Sequence, residues 1–330
     1  METLPFVVWL GAPVWAWAGF LGLVLVLLAL DLGVLQRRAH VIGIAESLRL
    51  SAFYVTLGLA FGAVVWWWRG AEAGLAYVTG FALEKALALD NIFVIALIFA
   101  HFGVAPEQRH RVLFWGVVGV VVLRAVMIGV GAAVVGEFSW VLTLFAVFLV
   151  ATGVKMLVVE EKPRDIGASP MVRLMSRVMP IARDGDGDRF FVRRPHPVSG
   201  RLVVHATPLF LALATIEFAD VIFAVDSVPA IFAVTTDTFV VYTSNIFAIL
   251  GLRALYFALA AMIDRFHRLK IALALVLVFI GGKVIVADAL GIAKVPAGLS
   301  LGVTLALLGA GVAWSLWETR RAPIAPEKAG

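Results

Sequence analysis

The sequence contains no cysteine, which excludes disulfides, thiolate metal sites and cysteine nucleophiles. Charge is scarce as well. Asp, Glu, Lys and Arg make up 15% of the 330 residues, against about 25% in an ordinary globular protein. That leaves too little polar surface to wrap a soluble body of this length. With 62% hydrophobic residues and a mean hydropathy of +1.01, the chain reads as a polytopic membrane protein, not as a disordered segment or a cytosolic enzyme. Histidine is sparse and peripheral. His40, His101, His110, His196, His205 and His267 fall in loops or at the ends of apolar runs, so none is placed to hold zinc at bilayer depth. A basic start is also missing. Met1 to Leu10 holds Glu2 and no Lys or Arg, unlike a cleavable signal peptide, and the first apolar run is expected to stay as a helix.

What is present is a series of long apolar runs. About 20 residues cross a bilayer, and nine runs qualify: 15–34, 48–68, 75–102, 112–135, 138–159, 204–235, 239–263, 271–290 and 297–317. The expected fold is an all-α polytopic membrane protein of about nine transmembrane helices, a single membrane domain over 1–330. The third and sixth runs are long and acidic, so they are expected to be tilted or broken. Trp66, Trp67 and Trp68, and Trp314 and Trp317, sit where interfacial anchors belong. Gly58 and Gly62 form a small-xxx-small packing pattern.

The net charge of +5 is read as a topology signal, not as a nucleic-acid surface. Of the 27 basic residues, 20 fall on one side if the N-terminus lies outside, and only Arg69 and Lys294 fall on the other. The positive-inside rule then places the N-terminus outside and the C-terminus in the cytoplasm of an inner-membrane protein. The basic segment 160–203 becomes a cytoplasmic loop. Within it, Met171 to Met179 suits a short amphipathic helix on the inner leaflet. The run Asp184-Gly185-Asp186-Gly187-Asp188 resembles the start of a calcium loop, but Pro195 stands where such a loop needs its closing acid. It is read as a solvated turn.

Two stretches match position by position: Glu84-Lys85-Ala86-Leu87-Ala88-Leu89-Asp90-Asn91 and Asp220-Val221-Ile222-Phe223-Ala224-Val225-Asp226-Ser227. Each is acid, five residues, acid, small polar. The following run of each set carries Leu-Arg-Ala, at Arg124 and at Arg253, and the next carries Gly-x-Lys, at Lys155 and at Lys283. Runs three to five (75–159) and six to eight (204–290) are therefore candidate repeats. Three spans per unit inverts the second copy, an architecture common in transporters.

A charge at the bilayer centre costs about 2.5–3.5 kcal/mol on insertion scales. This chain spends that on Glu84, Asp90, Glu217, Asp220 and Asp226, with Asp31 near an inner end. Glu84 and Asn91, like Asp220 and Ser227, are seven apart and share a helical face. The direction of the runs puts Glu84 and Asp226 on the outer side of centre and Asp90 and Asp220 nearer the inside. Pro229 cannot bond to the carbonyl of Val225, which frees an oxygen beside Asp226. Carboxylate, amide, hydroxyl and carbonyl oxygens are hard ligands suited to manganese, magnesium or calcium. Arg124 and Arg253 are read as partners of the acids. Lys155 and Lys283 are read as snorkelling towards opposite surfaces, and Lys85 as either an ion pair with Asp90 or a site of proton exchange. The plainer alternative is that every acid is paired with a base and the pairs staple helices together.

The stretches Thr207-Pro208-Leu209-Phe210, Ile216 to Ile231, Tyr242 to Tyr256, and Glu84-Lys85 with Asp90-Asn91 resemble the TerC family of integral membrane proteins, named for tellurium resistance. The similarity runs over nearly the whole chain. Resemblance to Alx-type members implies export of manganese, and other members are linked to supplying metal to exported enzymes. The leading expectation is thus a divalent-cation exporter with Mn2+ as cargo and the bilayer as its setting, open as to homo-oligomers. The second is a membrane component of a tellurium or envelope stress complex without transport of its own. An intramembrane aspartyl protease is disfavoured, because no predicted span carries its Gly-x-Gly-Asp motif; no enzyme activity is expected.

Overall fold

A computed structural model describes residues 7–33, 44–138, 140–159, 170–182, 187–195, 202–259, 269–290 and 295–321. Along the chain run β1 (Val8–Trp9), β2 (Ala12–Pro13), α1 (Val14–Gly33), α2 (Ile44–Arg69), α3 (Ala71–His101), α4 (Pro106–Glu137), α5 (Trp140–Val158) and α6 (Pro170–Val178). Then come β3 (Phe191–Pro195), β4 (Leu202–Ala206), α7 (Pro208–Phe232), α8 (Thr238–Leu250), α9 (Leu252–Leu259), α10 (Leu269–Leu290) and α11 (Ala297–Arg321). Among the described residues each apolar run of the sequence coincides in its main part with helix, the seventh with α8 and α9 together.

Among the described residues, seven helical stretches are long and apolar enough to cross a membrane: α2, α4, α5, α7, α8 with α9, α10 and α11. The apolar stretch of α1 is shorter. The 31 residues of α3 extend about 46 Å at 1.5 Å per residue, and its middle carries Glu84, Lys85 and Asp90.

Local chemistry sets the ends that matter. Thr207 caps α7, its hydroxyl accepting from Phe210 N–H at 3.4 Å, and Pro208 takes the first helical position, where its missing N–H costs nothing. Asp237 caps α8 through Phe239 and Val240 N–H, at 3.0 and 3.3 Å. α8 is the axis of the bundle: every residue from Phe239 to Leu250 is buried. Trp17 and Phe20 of α1 and Phe61 of α2 pack their rings against Phe239, Tyr242 and Phe247. Gly58 and Gly62 of α2 receive the rings of Phe81 and Tyr77, the packing role their spacing implied.

α5 and α10 approach each other closely, and the contact is reciprocal. A Cβ on Gly153 would lie 2.6 Å from Ala274 O, and one on Gly281 would lie 2.5 Å from Ala146 O. Gly153 also meets Val278, and Gly281 meets Val150. The two helices therefore run antiparallel with the same pattern, Ala, Val, Gly at i, i+4, i+7, facing itself.

Two sequence expectations need correction. The sixth run does not begin as helix: Val204 to Ala206 belong to β4, which pairs antiparallel with β3. Valine-rich, alternating segments favour such a hairpin, which spans the boundary between the expected loop (160–203) and the expected sixth helix. Pro229 does not break α7, which continues to Phe232. The interruption in this region falls at Gly251, between α8 and α9. The short helix at 171–179 is found as α6, with Arg173 and Arg177 exposed. Asp184 and Asp186 of the acidic run lie outside the described residues.

Candidate functional site

α4 carries Arg124 to the centre of the bundle, where it is 1% exposed. Its guanidinium is a fork with donors at fixed angles. Nε and Nη2 grip the two oxygens of Asp220, each at 3.1 Å. Nη1 donates to Ser227 Oγ at 2.6 Å and pairs with Glu84 Oε1 at 3.0 Å. Glu84 Oε2 in turn accepts from Asn245 Nδ2 at 2.9 Å. One arginine thus ties α3, α4 and α7 together, and Asn245 adds α8.

This geometry corrects the depth assignment drawn from helix direction. Glu84 and Asp220, the first acids of the two matched motifs, do not lie on opposite sides of centre; both meet Arg124. The seven-residue spacing of Asp220 and Ser227 does put them on one face, where both reach the same guanidinium.

Two buried oxygens near this network have no partner among the described residues: Glu217 Oε2 and Asn245 Oδ1. Buried polar atoms are rarely left so. Glu217, one turn before Asp220 on α7, has its carboxylate pressed against Gly119 of α4, where a Cβ would overlap it. Asn91 is buried, 7% exposed, and Asp226 is half-buried on α7. The side chains of Asp31 and Asp90 lie outside the described part. Among the described residues, no three His, Asp or Glu side chains are grouped so as to hold one ion.

The basic residues divide. Lys85 donates to Ala248 O at 2.7 Å, capping the last turn of α8 where that helix stops, a favourable place for a cation. Lys283 donates to Ser300 Oγ of α11 at 2.8 Å and does not reach for the surface. Lys155 is exposed, and Arg253 is buried in α9. Asn245 is the site residue that sequence reading left without a role. Its signal was an amide within an apolar helix that is buried on all sides, which only the packing reveals.

Residues 69–323 match the family described as integral membrane protein TerC family. The chain belongs to the TerC family. Among relatives of this TerC-family chain, an "Uncharacterized membrane protein STKORF319" of Myxococcus xanthus is 46% identical over 323 residues, covering 98% of this chain and 97% of the relative. A Salmonella typhi protein named "Putative membrane-bound redox modulator Alx" is 43% identical over 310 residues, covering 91% and 94%. Its namesake in Escherichia coli K12 is 44% identical over 301 residues, covering 88% and 91%. No solved structure matches the chain. The TerC assignment makes it a multi-pass integral membrane protein in contact with lipid.

Proposed function

We propose that this TerC-family chain is a membrane carrier, not an enzyme, that exports a divalent cation, with manganese as the first candidate. The observation that carries this reading is the charge arrangement at bilayer depth. Glu84 and Asp220 share a single guanidinium, so one arginine faces two carboxylates. Glu217 Oε2 and Asn245 Oδ1, without partners among the described residues, lie beside them. Such a surplus of hard oxygen ligands in a low-dielectric setting favours a doubly charged ion of the manganese, magnesium or calcium type. The choice of manganese rests on the resemblance to Alx-type exporters. Asp90, Asp226, Asn91 and Ser227 complete the donor set in this proposal, with Arg124 and Arg253 holding carboxylates in place.

The reading includes nine spans in an inner membrane, the N-terminus outside, and two inverted three-helix repeats. The self-facing Gly153–Gly281 contact supports the repeats, since residues matched by sequence meet about a local two-fold axis. Rocking of one repeat against the other exposes the site to alternate sides.

A second reading has its own support. Arg124 neutralises acids in the manner of a structural staple, and relatives carry the name of a redox modulator. In that case the chain is a membrane component of a stress-resistance or metalation complex. A chain without cysteine has no thiol of its own for redox chemistry.

The deciding experiment is flux of manganese, with magnesium, calcium and zinc in competition, into inverted vesicles holding the purified chain. Manganese uptake is expected, and its loss in Asp90→Asn and Asp226→Asn variants that insert normally. Unchanged uptake by both variants at normal abundance would remove these carboxylates from the site. No uptake of any cation by the unaltered chain would leave the complex-component reading.

A further inference from the structure

At the C-terminal ends of α4 and α7 the bundle opens into a cavity of about 550 Å³. It lies one length of α7 away from the basic β3–β4 hairpin, which precedes that helix. α4 lends it small residues, Ala132, Ala133 and Gly136, and the turn into α8 lends it oxygens, from Thr235 to Thr238. Arg69 closes the rim. Its Nη2 pairs with Asp237 Oδ2 at 2.8 Å, and its Nη1 donates to Gly11 O at 3.0 Å. Gly11 sits in the β1–β2 turn, which Trp17 Nε1 fastens from α1 by donating to Trp9 O at 2.8 Å. One carboxylate therefore does two things: Asp237 Oδ1 caps α8, and Oδ2 holds the arginine that holds the hairpin.

Beneath the cavity the packing turns apolar. Phe232 is buried, with its ring on Gly131, where a Cβ would lie 2.8 Å from the ring. Ile128 and Val228, both buried, complete the seal. Thr235 is eight residues beyond Ser227 on one wall, and Ala132 eight beyond Arg124 on the other. On α4 those eight residues of helix rise about 12 Å, and Thr235 lies just past the end of α7. Polar network, apolar seal and polar cavity thus follow one another along the same two helices.

We propose that this cavity is the outward mouth of a divalent-cation path, shut from the buried carboxylates by Phe232 seated on Gly131 and clamped by the Arg69–Asp237 pair. The proposal deepens the transport reading above and rests on it. A hydrated cation in the cavity meets threonine hydroxyls and the one carboxylate of the clamp. It competes with Arg69 for Asp237 Oδ2, and release of Arg69 frees its hold on Gly11 and the hairpin. Oδ1 keeps its cap throughout, so α8 does not unravel when the clamp opens.

The natural absence of cysteine makes single-cysteine labelling unambiguous. Thr235→Cys, Ser227→Cys and Ala224→Cys are reacted with a membrane-impermeant maleimide applied from the side of the α7 C-terminus, the outside on the expected topology. Ala224 is fully buried and has no polar side-chain atom to lose from the Arg124 network, so it serves if Ser227→Cys folds poorly. Thr235→Cys is expected to react, more slowly when manganese is added, while the two deeper cysteines stay silent. Phe232→Ala is expected to raise deep labelling by about tenfold or more, as an opened gate does. Arg69→Gln is expected to remove the manganese effect on Thr235→Cys or weaken it. Deep cysteines that react as fast as Thr235→Cys with Phe232 intact, or stay silent in Phe232→Ala, overturn the seal. Manganese flux of the same variants is read separately, in inverted vesicles, while labelling is done on right-side-out membranes. Flux without this labelling pattern overturns the gate alone; the pattern without flux of any cation overturns the transport reading and its cation, and leaves only the seal.

Discussion

Arg124 is the side chain on which most of the buried polar chemistry depends. Taking a guanidinium and two carboxylates out of water is costly, and only close pairing offsets it. Arg124→Gln would leave Asp220 and Glu84 buried without their cation, a loss of about 3–5 kcal/mol for a broken buried pair. Thermal unfolding in detergent and membrane abundance should both fall sharply. Arg124→Lys should recover part of the loss, because it restores the charge but not the two-pronged grip on Asp220. A Gln variant as stable as the parent would show the pairing to be incidental. Sequence alone placed Arg124 among the acids, since a lone arginine in an apolar run must find one. It could not place Lys85. Neighbouring residues on a helix point about 100° apart, so Glu84 reaches Arg124 of α4 and Asn245 in the middle of α8, while Lys85 reaches the last turn of α8, and only the packing says which.

At the scale of elements, the α5–α10 contact makes a sharp demand. Ordinary helix axes lie 8–10 Å apart, and glycine lets backbones come nearer. Alanine at Gly153 or at Gly281 would put a methyl against the partner's backbone carbonyl, which cannot swing aside as a side chain can. Each change should cost about 1–3 kcal/mol, as overpacking does, and the two costs should be similar because the contact faces itself. Unfolding temperatures of the two single variants and the double variant check this. The double should lose less than the sum, since the first methyl already parts the helices. A large effect at one glycine and none at the other would deny the reciprocity. The helices themselves were legible as apolar runs. The exceptions have physical reasons. Pro229 forfeits one backbone bond, which a buried helix survives when its neighbours hold it. Gly251 gave no warning, because a glycine within an apolar run reads equally as packing or as a break. The β3–β4 hairpin was hidden by Val203 and Val204 abutting the next apolar run.

For the whole molecule, the helical, membrane-embedded class came from simple quantities, the scarcity of charge and the length of apolar runs. The assembly of the centre did not, because its contacts join positions far apart: Arg124 and Asp220 are 96 residues apart, and Glu84 and Asn245 are 161 apart. Those separations bear on how the chain is made. α3 leaves the ribosome with three charges in its middle, each opposed by about 2.5–3.5 kcal/mol on insertion scales. The arginine that offsets Glu84 follows within the next helix, but the amide on its second oxygen is not synthesised until α8. α3 should therefore be a late arrival in the bilayer, held near the translocation machinery until its partners emerge. Ribosome-stalled chains ending before α7 should leave a cysteine placed at Ala86 open to aqueous labelling, and chains ending beyond α9 should protect it. Glu84→Leu should bring protection forward to the shorter chains. Early protection of unaltered α3 would mean that this helix enters the membrane without waiting for the residues that later hold it.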